Sequence, residues 1–235
     1  MFSKSAAFYD AIYSWKDYPT EAQRIHALVQ HYQQSQGTSL LDAACGTGAH
    51  ARHLREHYAI TGFDLDPKLL DIARETCPEG TFHAADMRDF DLGERFDVVV
   101  CLFSAIGYVK TVDALNQTLI CFAKHVQPGG LVIVEPWFAP GDLNPDTVHA
   151  RFVDEPDLKI SRINITRVEG TISSFTFHYL VGTPEGVEYF TEFHEMGLFT
   201  NDQYRAAFRD AGLTVRHDPD GLMGRGLYIG LKASR

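Results

Sequence analysis

Three aspartates, Asp42, Asp64 and Asp86, each stand at the end of a short apolar segment that the residue pattern predicts to be a strand. Consecutive strands of a parallel sheet end at one edge, so these carboxylates should converge on one crevice. A carboxylate there can hold a cationic amine, accept hydrogen bonds from ribose hydroxyls or accept one from an adenine amino group. The pattern therefore predicts a site for a nucleoside that carries positive charge.

The first aspartate belongs to segment 40–50, which reads LLDAACGTGAH and contains a turn from Gly46 to Gly48. Glycines in a strand-to-helix turn let the backbone approach a ligand closely. The turn alone also fits a dinucleotide site, so an NAD-dependent oxidoreductase is one alternative. Asp42 favours S-adenosylmethionine, because its carboxylate would repel a pyrophosphate and hold the ammonium of the amino-acid end. A non-catalytic sensor of this cofactor is a second alternative.

Helical and strand patterns alternate over residues 19–134. The elements that they predict must position the three aspartates. This alternation is typical of a parallel sheet with crossover helices. Thr20 and Gln23 predict a capping box for the first helix, and Asp66 before Pro67 predicts an N-cap for a later one. The predicted strands are 39–44, 60–65, 82–85, 96–103 and 131–135.

The pattern changes after Pro136. Apolar and polar residues alternate in three segments, 158–168, 172–181 and 187–197, which predicts an antiparallel insertion. A capping box that begins at Thr200 then predicts a last helix, followed by two strands. We expect four parts: an N-terminal aromatic lid with the first helix at 1–36, a cofactor-binding core at 37–140, the insertion at 141–199 and the rest of the core at 200–235.

The composition excludes several classes of protein. The chain has 235 residues, 45% of them hydrophobic, with 21 Lys and Arg against 31 Asp and Glu and a formal net charge of −10. Such acidity disfavours binding to nucleic acid or to an anionic membrane. No segment approaches the roughly 20 apolar residues of a membrane span, and the N-terminus lacks the apolar core of a signal peptide. We therefore expect a soluble, cytoplasmic protein with reduced cysteines and no metal site.

Motifs spread over nearly the whole chain resemble those of one enzyme family. Segment 40–48, Gly62-Phe-Asp64 and Pro128-Gly-Gly130 look like a class I S-adenosylmethionine-dependent methyltransferase. Further motifs are similar to the N,N-dimethyltransferases that complete the dTDP-3-amino sugars desosamine and mycaminose. These are Lys16-Asp-Tyr18, Asp86-Met-Arg-Asp-Phe90, Phe103-Ser-Ala-Ile-Gly-Tyr108, Val134-Glu-Pro-Trp137 and Gly224-Arg-Gly-Leu227.

The resemblance implies an α/β, Rossmann-like seven-stranded fold with an inserted three-stranded antiparallel sheet. It also implies methyl transfer from S-adenosylmethionine to the amine of a dTDP-linked amino sugar in antibiotic biosynthesis, with one or two methyl groups added. The chain has Trp137-Phe-Ala-Pro140 where the family has Trp-Trp-Phe-Pro, and Asp220-Gly-Leu-Met-Gly-Arg-Gly226 where the family has Gly-Gly-Pro-Ser-Gly-Arg-Gly. Both segments should face the substrate, so an N- or O-methyltransferase of another small molecule is a further alternative.

The expected cofactor site combines the strand ends with the N-terminal segment. That segment holds six aromatic residues between Phe2 and Tyr18, which predicts a lid that excludes water from the cofactor; a helix packed on the core is the alternative. The predicted cofactor-binding residues are Tyr9, Tyr18, Asp42, Ala44, Gly46, Gly48, Asp64, Leu65, Asp86, Met87 and Leu102.

The acceptor should lie near the ends of the fourth and fifth strands, where the candidates are Ser104, Tyr108, Glu135, Trp137 and Phe138. The resemblance places Tyr108 at an active-site position, and its hydroxyl could contact the amine; a structural turn tyrosine is the alternative. Glu135 could bind the amine or serve the fold. His178, on the polar face of an inserted strand, could relay a proton or orient the sugar, or it could be a solvated side chain.

A nucleotide diphosphate brings negative charge into an acidic protein, so its site needs arginine. Arg225 lies between two glycines, and the resemblance makes it a diphosphate contact. Arg162 and Arg167, on the first inserted strand, could assist. We expect the insertion to form one wall of the acceptor pocket, and its exposed edge could pair two chains into a homodimer.

Overall fold

A computed structural model describes residues 4–234 and contains two sheets. The seven-stranded sheet has the order β10, β11, β5, β4, β1, β2, β3, and the four-stranded sheet has the order β6, β7, β8, β9. The strands are β1 (Ser39–Ala43), β2 (Ala59–Asp64), β3 (Thr81–Ala84), β4 (Phe96–Cys101), β5 (Val126–Val134), β6 (Val148–Glu155), β7 (Leu158–Glu169), β8 (Ile172–Thr183), β9 (Gly186–Gly197), β10 (Leu213–Asp218) and β11 (Leu227–Lys232).

The larger sheet confirms the predicted Rossmann-like fold. Strands β1 to β5 are mutually parallel where they pair, and β11 is antiparallel to both β5 and β10. All six residues of β4 are buried, as expected of a strand that is covered on both faces. Leu40 and Leu41 point to opposite faces and belong to different hydrophobic clusters, so β1 anchors both layers of the core.

All but the first of the helices cover the two faces of this sheet, and the first packs against the insertion. The helices are α1 (Tyr9–Ile12), α2 (Tyr18–Tyr32), α3 (Ala51–Leu54), α4 (Pro67–Thr76), α5 (Val112–His125) and α6 (Asn201–Asp210). Asp66 caps α4, and Thr200 forms a capping box with Gln203 at α6, as predicted. Within residues 4–234 no helix is long and apolar enough to cross a membrane.

The start of α2 differs from the prediction. The proposed capping box of Thr20 and Gln23 is wrong, because Asp17 is the N-cap and its Oδ1 accepts the Thr20 backbone N–H at 3.1 Å. Pro19 lies in the first turn, where a missing N–H costs no helical hydrogen bond. The helix therefore begins at Tyr18, three residues earlier than a cap at Thr20 would place it.

The insertion has four strands, not the predicted three. Strand β6 pairs antiparallel with β7 over its whole length, but the residues of β6 are exposed except for the half-buried Val153. An exposed edge strand has no buried face and therefore no clear alternation of apolar and polar residues, so the sequence pattern did not predict β6. We call the side that carries Phe175, Phe177 and His194 the inner face, because its side chains are buried.

The opposite side of the insertion, which we call the outer face, is exposed. Residues paired directly across antiparallel strands share a face, and this register places eight large apolar side chains there. Their exposed fractions range from 39% to 74%. They are Val148, Phe152, Ile163, Ile165, Leu180, Val187, Tyr189 and Phe193.

Candidate active site

A cavity of about 530 Å³ lies where β1, β2 and β4 end, between the seven-stranded sheet and the inner face of the insertion. We call it the first cavity. Its volume falls within the range of small-molecule sites. Phe175, Phe177 and Met196 of the insertion line it, so the insertion forms one wall of this cavity. The sequence-predicted residues that line it are Tyr9, Ala44, Gly46, Asp64, Leu65, Met87, Leu102, Tyr108, Trp137 and Arg225.

The glycine-rich turn forms one end of the first cavity. Gly46 has a φ of +56°, and a Cβ at this position would meet no atom within 4 Å, so the bare backbone faces open space. Asp64 holds the turn, because its Oδ2 accepts the Gly46 N–H at 2.9 Å and its Oδ1 accepts the Asp66 N–H at 3.0 Å. Gly48 does not line the cavity; it packs against Ala73 of α4.

Asp42 is buried beside this turn, with 2% of its surface exposed, and it lies behind the lining of the first cavity. Its Oδ2 has no hydrogen-bond partner within the described part of the chain. Burial, and secondarily the charge of Asp64, raises the pKa of Asp42 to about 7. An ammonium group would satisfy this oxygen and stabilise its charge, so the donor set fits the amino-acid end of S-adenosylmethionine.

The predicted adenine site is only partly assembled. Leu65 and Met87 provide apolar walls to the first cavity, but Asp86 is outside its lining. The Asp86 carboxylate is held by Arg88, whose Nη2 donates to Oδ2 at 2.5 Å and whose Nε donates to Oδ1 at 3.0 Å. The hydrogen bonds from Arg88 lower the pKa of Asp86, so this carboxylate is ionised and already paired.

Tyr108 lines the other end of the first cavity, and its partner His194 lies outside the lining. The Tyr108 hydroxyl lies 2.9 Å from Nδ1 of His194, and the imidazole stacks on Phe175 with 5.6 Å between centroids. Burial is the main cause that lowers the pKa of His194 to about 4. Burial also raises the pKa of Tyr108 well above its ordinary value. Both groups are therefore neutral at neutral pH.

The structure does not bring His178, a predicted catalytic residue, to the first cavity. Its side chain is exposed on the outer face, where Nδ1 lies 2.7 Å from the Tyr189 hydroxyl. Residues alternate between faces along a strand, so Phe177 and Tyr179 turn inward and His178 cannot. His194 is the histidine on the inner face, and the sequence reasoning missed it.

Glu135 and Arg225 form a buried ion pair at the wall of the first cavity. Arg225 Nη2 lies 3.0 Å from Glu135 Oε1, and Glu135 Oε2 accepts the Phe103 N–H at 2.6 Å. Glu135 is fully buried and does not line the cavity, so the structure does not bring it to an acceptor amine. Arg225 does line the cavity, and its buried Nε has no partner among the described residues.

Ser104 and Arg162 are supports, and neither lines the first cavity as predicted. Ser104 is buried and donates its hydroxyl to the Pro136 carbonyl at 2.6 Å, which ties the end of β4 to the end of β5. Arg162 donates to the Tyr13 hydroxyl at 3.0 Å and lies over the Phe177 ring. Arg167, at the far end of β7, instead pairs with Asp146.

The N-terminal segment lies over the first cavity, with Tyr9 and Tyr13 in its lining. Among its contacts, the Thr47 hydroxyl donates to Asp10 at 2.7 Å, and the Ser5 hydroxyl donates to Glu192 at 2.6 Å. These two hydrogen bonds tie the segment to the glycine-rich turn and to the insertion. Phe2, which the lid prediction included, is outside the described residues.

Tyr18 is outside the lining of the first cavity, and it packs edge-on against His50 at 4.9 Å between centroids. Beside it is a buried network that the sequence reasoning missed. Lys16 pairs with Glu21, and the other oxygen of Glu21 lies 2.8 Å from His50 Nε2. The Lys16 ammonium also lies 3.0 Å from the Met223 sulfur, so the network joins the N-terminal segment to the loop that carries Arg225.

Comparison with known proteins places this geometry in context. The family described as methyltransferase domain matches residues 40–130. The chain is 41% identical to a dTDP-3-amino-3,6-dideoxy-alpha-D-glucopyranose N,N-dimethyltransferase of Streptomyces fradiae, over 98% of this chain and 91% of the relative. It is 40% identical to a dTDP-4-amino-2,3,4,6-tetradeoxy-D-glucose N,N-dimethyltransferase of Saccharopolyspora spinosa, over 97% of this chain and 92% of the relative.

Solved structures give the same picture. The crystal structure of Streptomyces venezuelae DesVI matches with a TM-score of 0.92 and 38% identity, over 98% of this chain and 99% of that chain. CalS10, an amino pentose methyltransferase of Micromonospora echinaspora solved with S-adenosylmethionine bound, matches with a TM-score of 0.85 and 31% identity, over 97% of this chain and 95% of that chain.

Proposed function

Since the chain belongs to the dTDP-amino-sugar N,N-dimethyltransferases, an S-adenosylmethionine-dependent family, we propose that it methylates the amine of a dTDP-linked amino sugar twice. The observation that carries this proposal is the first cavity, in which the turn at Gly46 and Asp64 faces one end and Tyr108 and Arg225 line the other. One site can therefore hold a methyl donor and an anionic, amine-bearing acceptor together.

At the donor end, the chain's own groups match the cofactor. S-adenosylmethionine, when bound, supplies an electrophilic methyl group on a sulfonium. Asp42 would hold the ammonium of the amino-acid end, the open backbone at Gly46 would admit the chain, and Asp64 would accept the ribose hydroxyls. Leu65 and Met87 would cover the adenine ring. Asp86, already held by Arg88, would act at most as a second acceptor for the adenine amino group.

At the acceptor end, we assign Tyr108 an orienting role. A neutral amine is already a nucleophile, so most of the acceleration comes from its alignment, which is worth up to about 7–11 kcal/mol in favourable intramolecular cases. When the Tyr108 hydroxyl donates to Nδ1 of His194, its oxygen lone pairs are left to accept an N–H from the amine. The nitrogen lone pair then stays free for the methyl group.

Arg225 is the proposed partner of the acceptor diphosphate. A guanidinium carries five N–H donors, and Glu135 takes up one side of this one, through Nη2. The buried Nε is left for a phosphate oxygen. In this assignment Glu135 holds the guanidinium in place and does not touch the substrate.

We further propose that the protein is a homodimer that pairs through the outer face of the insertion. Eight exposed apolar side chains on one sheet face exceed the scattered apolar residues normal for a monomer's surface. This face gives a stronger reason for pairing than the edge strand inferred from the sequence. We also propose that the chain divides into the four parts given above and that the protein is cytoplasmic.

The function is tested with labelled S-adenosylmethionine and a panel of acceptors. The panel holds dTDP-3-amino and dTDP-4-amino sugars, the matching free amino sugars, and unrelated amines and phenols. We expect transfer of two methyl groups to a dTDP-amino sugar, read by mass spectrometry, with slower transfer to the free sugar. Transfer to none of the nucleotide sugars would overturn the proposal.

A further inference from the structure

A buried carboxylate outside the first cavity stands between the glycine-rich turn and the loop that carries Arg225. Glu21 lies in the first turn of α2, and its two oxygens take different partners, the Lys16 ammonium and His50 Nε2. All three side chains are buried, and none of them lines the first cavity. Well-packed apolar side chains in such a place are often as stable as buried charges, so these charges call for an explanation beyond stability.

Glu21 is ionised at neutral pH. Burial raises the pKa of this carboxyl, but the hydrogen bonds from His50 and Lys16 outweigh that effect, so the pKa lies below its ordinary value. The Lys16 ammonium also lies over the rings of Phe103 and Tyr18, at 4.6 and 5.3 Å from their centroids. Loss of the Glu21 charge would therefore leave a buried cation without its counter-ion.

On the donor side, Glu21 holds the residue at which the glycine-rich turn becomes helix. His50 is the N-cap residue of α3, and its carbonyl accepts the Leu54 N–H at 2.9 Å. Its Nε2 lies 2.8 Å from Glu21 Oε2. Asp64 holds the start of the turn at Gly46, and Glu21 holds its end. The backbone that faces the first cavity is thus supported from both sides.

On the acceptor side, Lys16 contacts the loop between β10 and β11. Its ammonium lies 3.0 Å from the Met223 sulfur, and Nη2 of Arg225 lies 3.5 Å from the same sulfur. Two cations thus share one polarisable thioether, and each has its own carboxylate, Glu21 for Lys16 and Glu135 for Arg225. An unpaired Lys16 would repel the guanidinium across this sulfur and displace the loop.

We propose that Glu21 is a positioning residue for both ends of the site. Through His50 it holds the glycine-rich turn for the cofactor, and through Lys16 and Met223 it holds Arg225 for the acceptor diphosphate. The inference rests on the proposed function, because it takes Arg225 to bind that diphosphate. Such support matters because a small displacement of a binding group removes much of its effect.

The test measures binding of S-adenosylhomocysteine and of dTDP by isothermal titration calorimetry. Glu21→Gln should raise both Kd values about 3- to 10-fold. His50→Phe, which keeps a ring beside Tyr18, should raise only the Kd for S-adenosylhomocysteine. Lys16→Met should raise only the Kd for dTDP, because Lys16 connects Glu21 to the loop and the contact between Glu21 and His50 is retained.

Asp97→Asn is the matched control. Asp97 is also buried, and it accepts hydrogen bonds from the Ser39 N–H at 3.1 Å and the Ser39 hydroxyl at 2.7 Å. It lies at the start of β4, whereas the first cavity lies where β4 ends. The control variant should leave both Kd values unchanged. A general loosening of the fold would weaken both ligands in every variant, so a loss confined to one ligand indicates positioning.

The outcomes distinguish the inference from the function on which it rests. Wild-type Kd values for both ligands in Glu21→Gln would overturn the positioning role and leave the proposed function standing, as would equal losses for the two ligands in His50→Phe and in Lys16→Met. A wild type that binds S-adenosylhomocysteine but neither binds dTDP nor methylates a dTDP-amino sugar would overturn the proposed function itself. Circular dichroism and melting temperature establish that each variant is folded, and His50→Phe and Lys16→Met decide the question if Glu21→Gln is not.

Discussion

The hydroxyl of Tyr108 and Nδ1 of His194 lie 2.9 Å apart, although 86 positions separate the two residues in the sequence. Tyr108 belongs to the short 3₁₀ helix Ala105–Val109 that follows β4, and His194 belongs to β9 of the insertion. The contact therefore joins the two sheets at the acceptor end of the first cavity. Because both groups are neutral, the Tyr108 hydroxyl can donate its proton to the imidazole nitrogen. The phenol oxygen can then still accept a hydrogen bond from an amine.

Replacement of His194 by Phe should lower kcat roughly 10-fold and leave KM nearly unchanged, because it removes the partner of the Tyr108 hydroxyl and keeps the ring beside Phe175. Tyr108→Phe should lower kcat by a similar factor. The double variant should be no slower than the slower single variant, since each change breaks the same hydrogen bond. Steady-state kinetics with a dTDP-amino sugar give the three values.

His178→Phe is the matched control for His194→Phe. His178 is exposed on the outer face, so this variant should retain the wild-type kcat. Multiplicative losses in the double variant at positions 108 and 194 would show that the two residues act independently, and the positioning role of His194 would then be wrong.

Asp42→Asn should stabilise the cofactor-free protein at alkaline pH and weaken its binding of the cofactor. Because burial raises the pKa of Asp42 to about 7 from an ordinary 3.8, the folded state favours the protonated form. The stability that this group contributes is complete below pH 4 and is lost as the pH rises through 7. Without cofactor, the asparagine variant should therefore melt at a higher temperature than wild type at pH 8 and bind S-adenosylhomocysteine at least 10-fold more weakly.

The same carboxyl group should make cofactor binding pH-dependent. The ammonium of S-adenosylhomocysteine needs an ionised Asp42, so its affinity for wild type should weaken about 10-fold for each pH unit below 7. This dependence of affinity on pH should be absent in Asp42→Asn. Calorimetric titrations between pH 5.5 and about 8 measure it, and an equal slope in both proteins would exclude Asp42 as the ammonium partner.

The donor end was predictable because its signals are local. Gly46 and Asp64 stand 18 positions apart within one strand-helix-strand unit, and the parallel pairing of β1 with β2 brings the Gly46 nitrogen within 2.9 Å of the Asp64 carboxylate. The acceptor end depends on contacts between distant elements. The pairing of Glu135 with Arg225 spans 90 positions, and no local pattern shows that the glutamate would be fully buried against an arginine.

The choice between His178 and His194 shows the same limit. Period-two alternation correctly separated His178 from Phe175 and Phe177, but it did not show which face would meet the cavity. We expected the polar face to meet the sugar, whereas it is the aromatic inner face that lines the first cavity. His194 lies among inward-facing residues of β9, next to the 60% exposed Phe193, and only the register with β8 shows that it faces Phe175.

Arg225→Ala should affect both the acceptor and the fold. Loss of the guanidinium should raise KM for a dTDP-amino sugar roughly 10- to 150-fold, as for hydrogen bonds to a charged group. It also leaves Glu135 buried without its cation, which should cost about 3–5 kcal/mol in the free energy of unfolding. Kinetics and chemical denaturation measure the two effects separately.

A second substitution separates the effect on KM from the effect on stability. The double variant Glu135→Gln with Arg225→Ala removes the stranded charge but keeps an acceptor for the Phe103 N–H, so most of the lost stability should return. The raised KM should remain, because the phosphate contact is still missing. If KM also returned to the wild-type value, Arg225 would act only through the fold and the diphosphate assignment would be wrong.

Leu180→Glu should convert a dimer into a monomer. Leu180 is 50% exposed in the middle of the outer face, opposite Tyr189, so a buried carboxylate there would oppose pairing of two such faces. Ile120→Glu is the matched control, because Ile120 is 41% exposed on α5, away from the insertion. Light scattering after size exclusion should show a dimer for wild type and Ile120→Glu. A monomeric wild type at micromolar concentration would contradict the homodimer, whereas a dimeric Leu180→Glu would place its interface elsewhere.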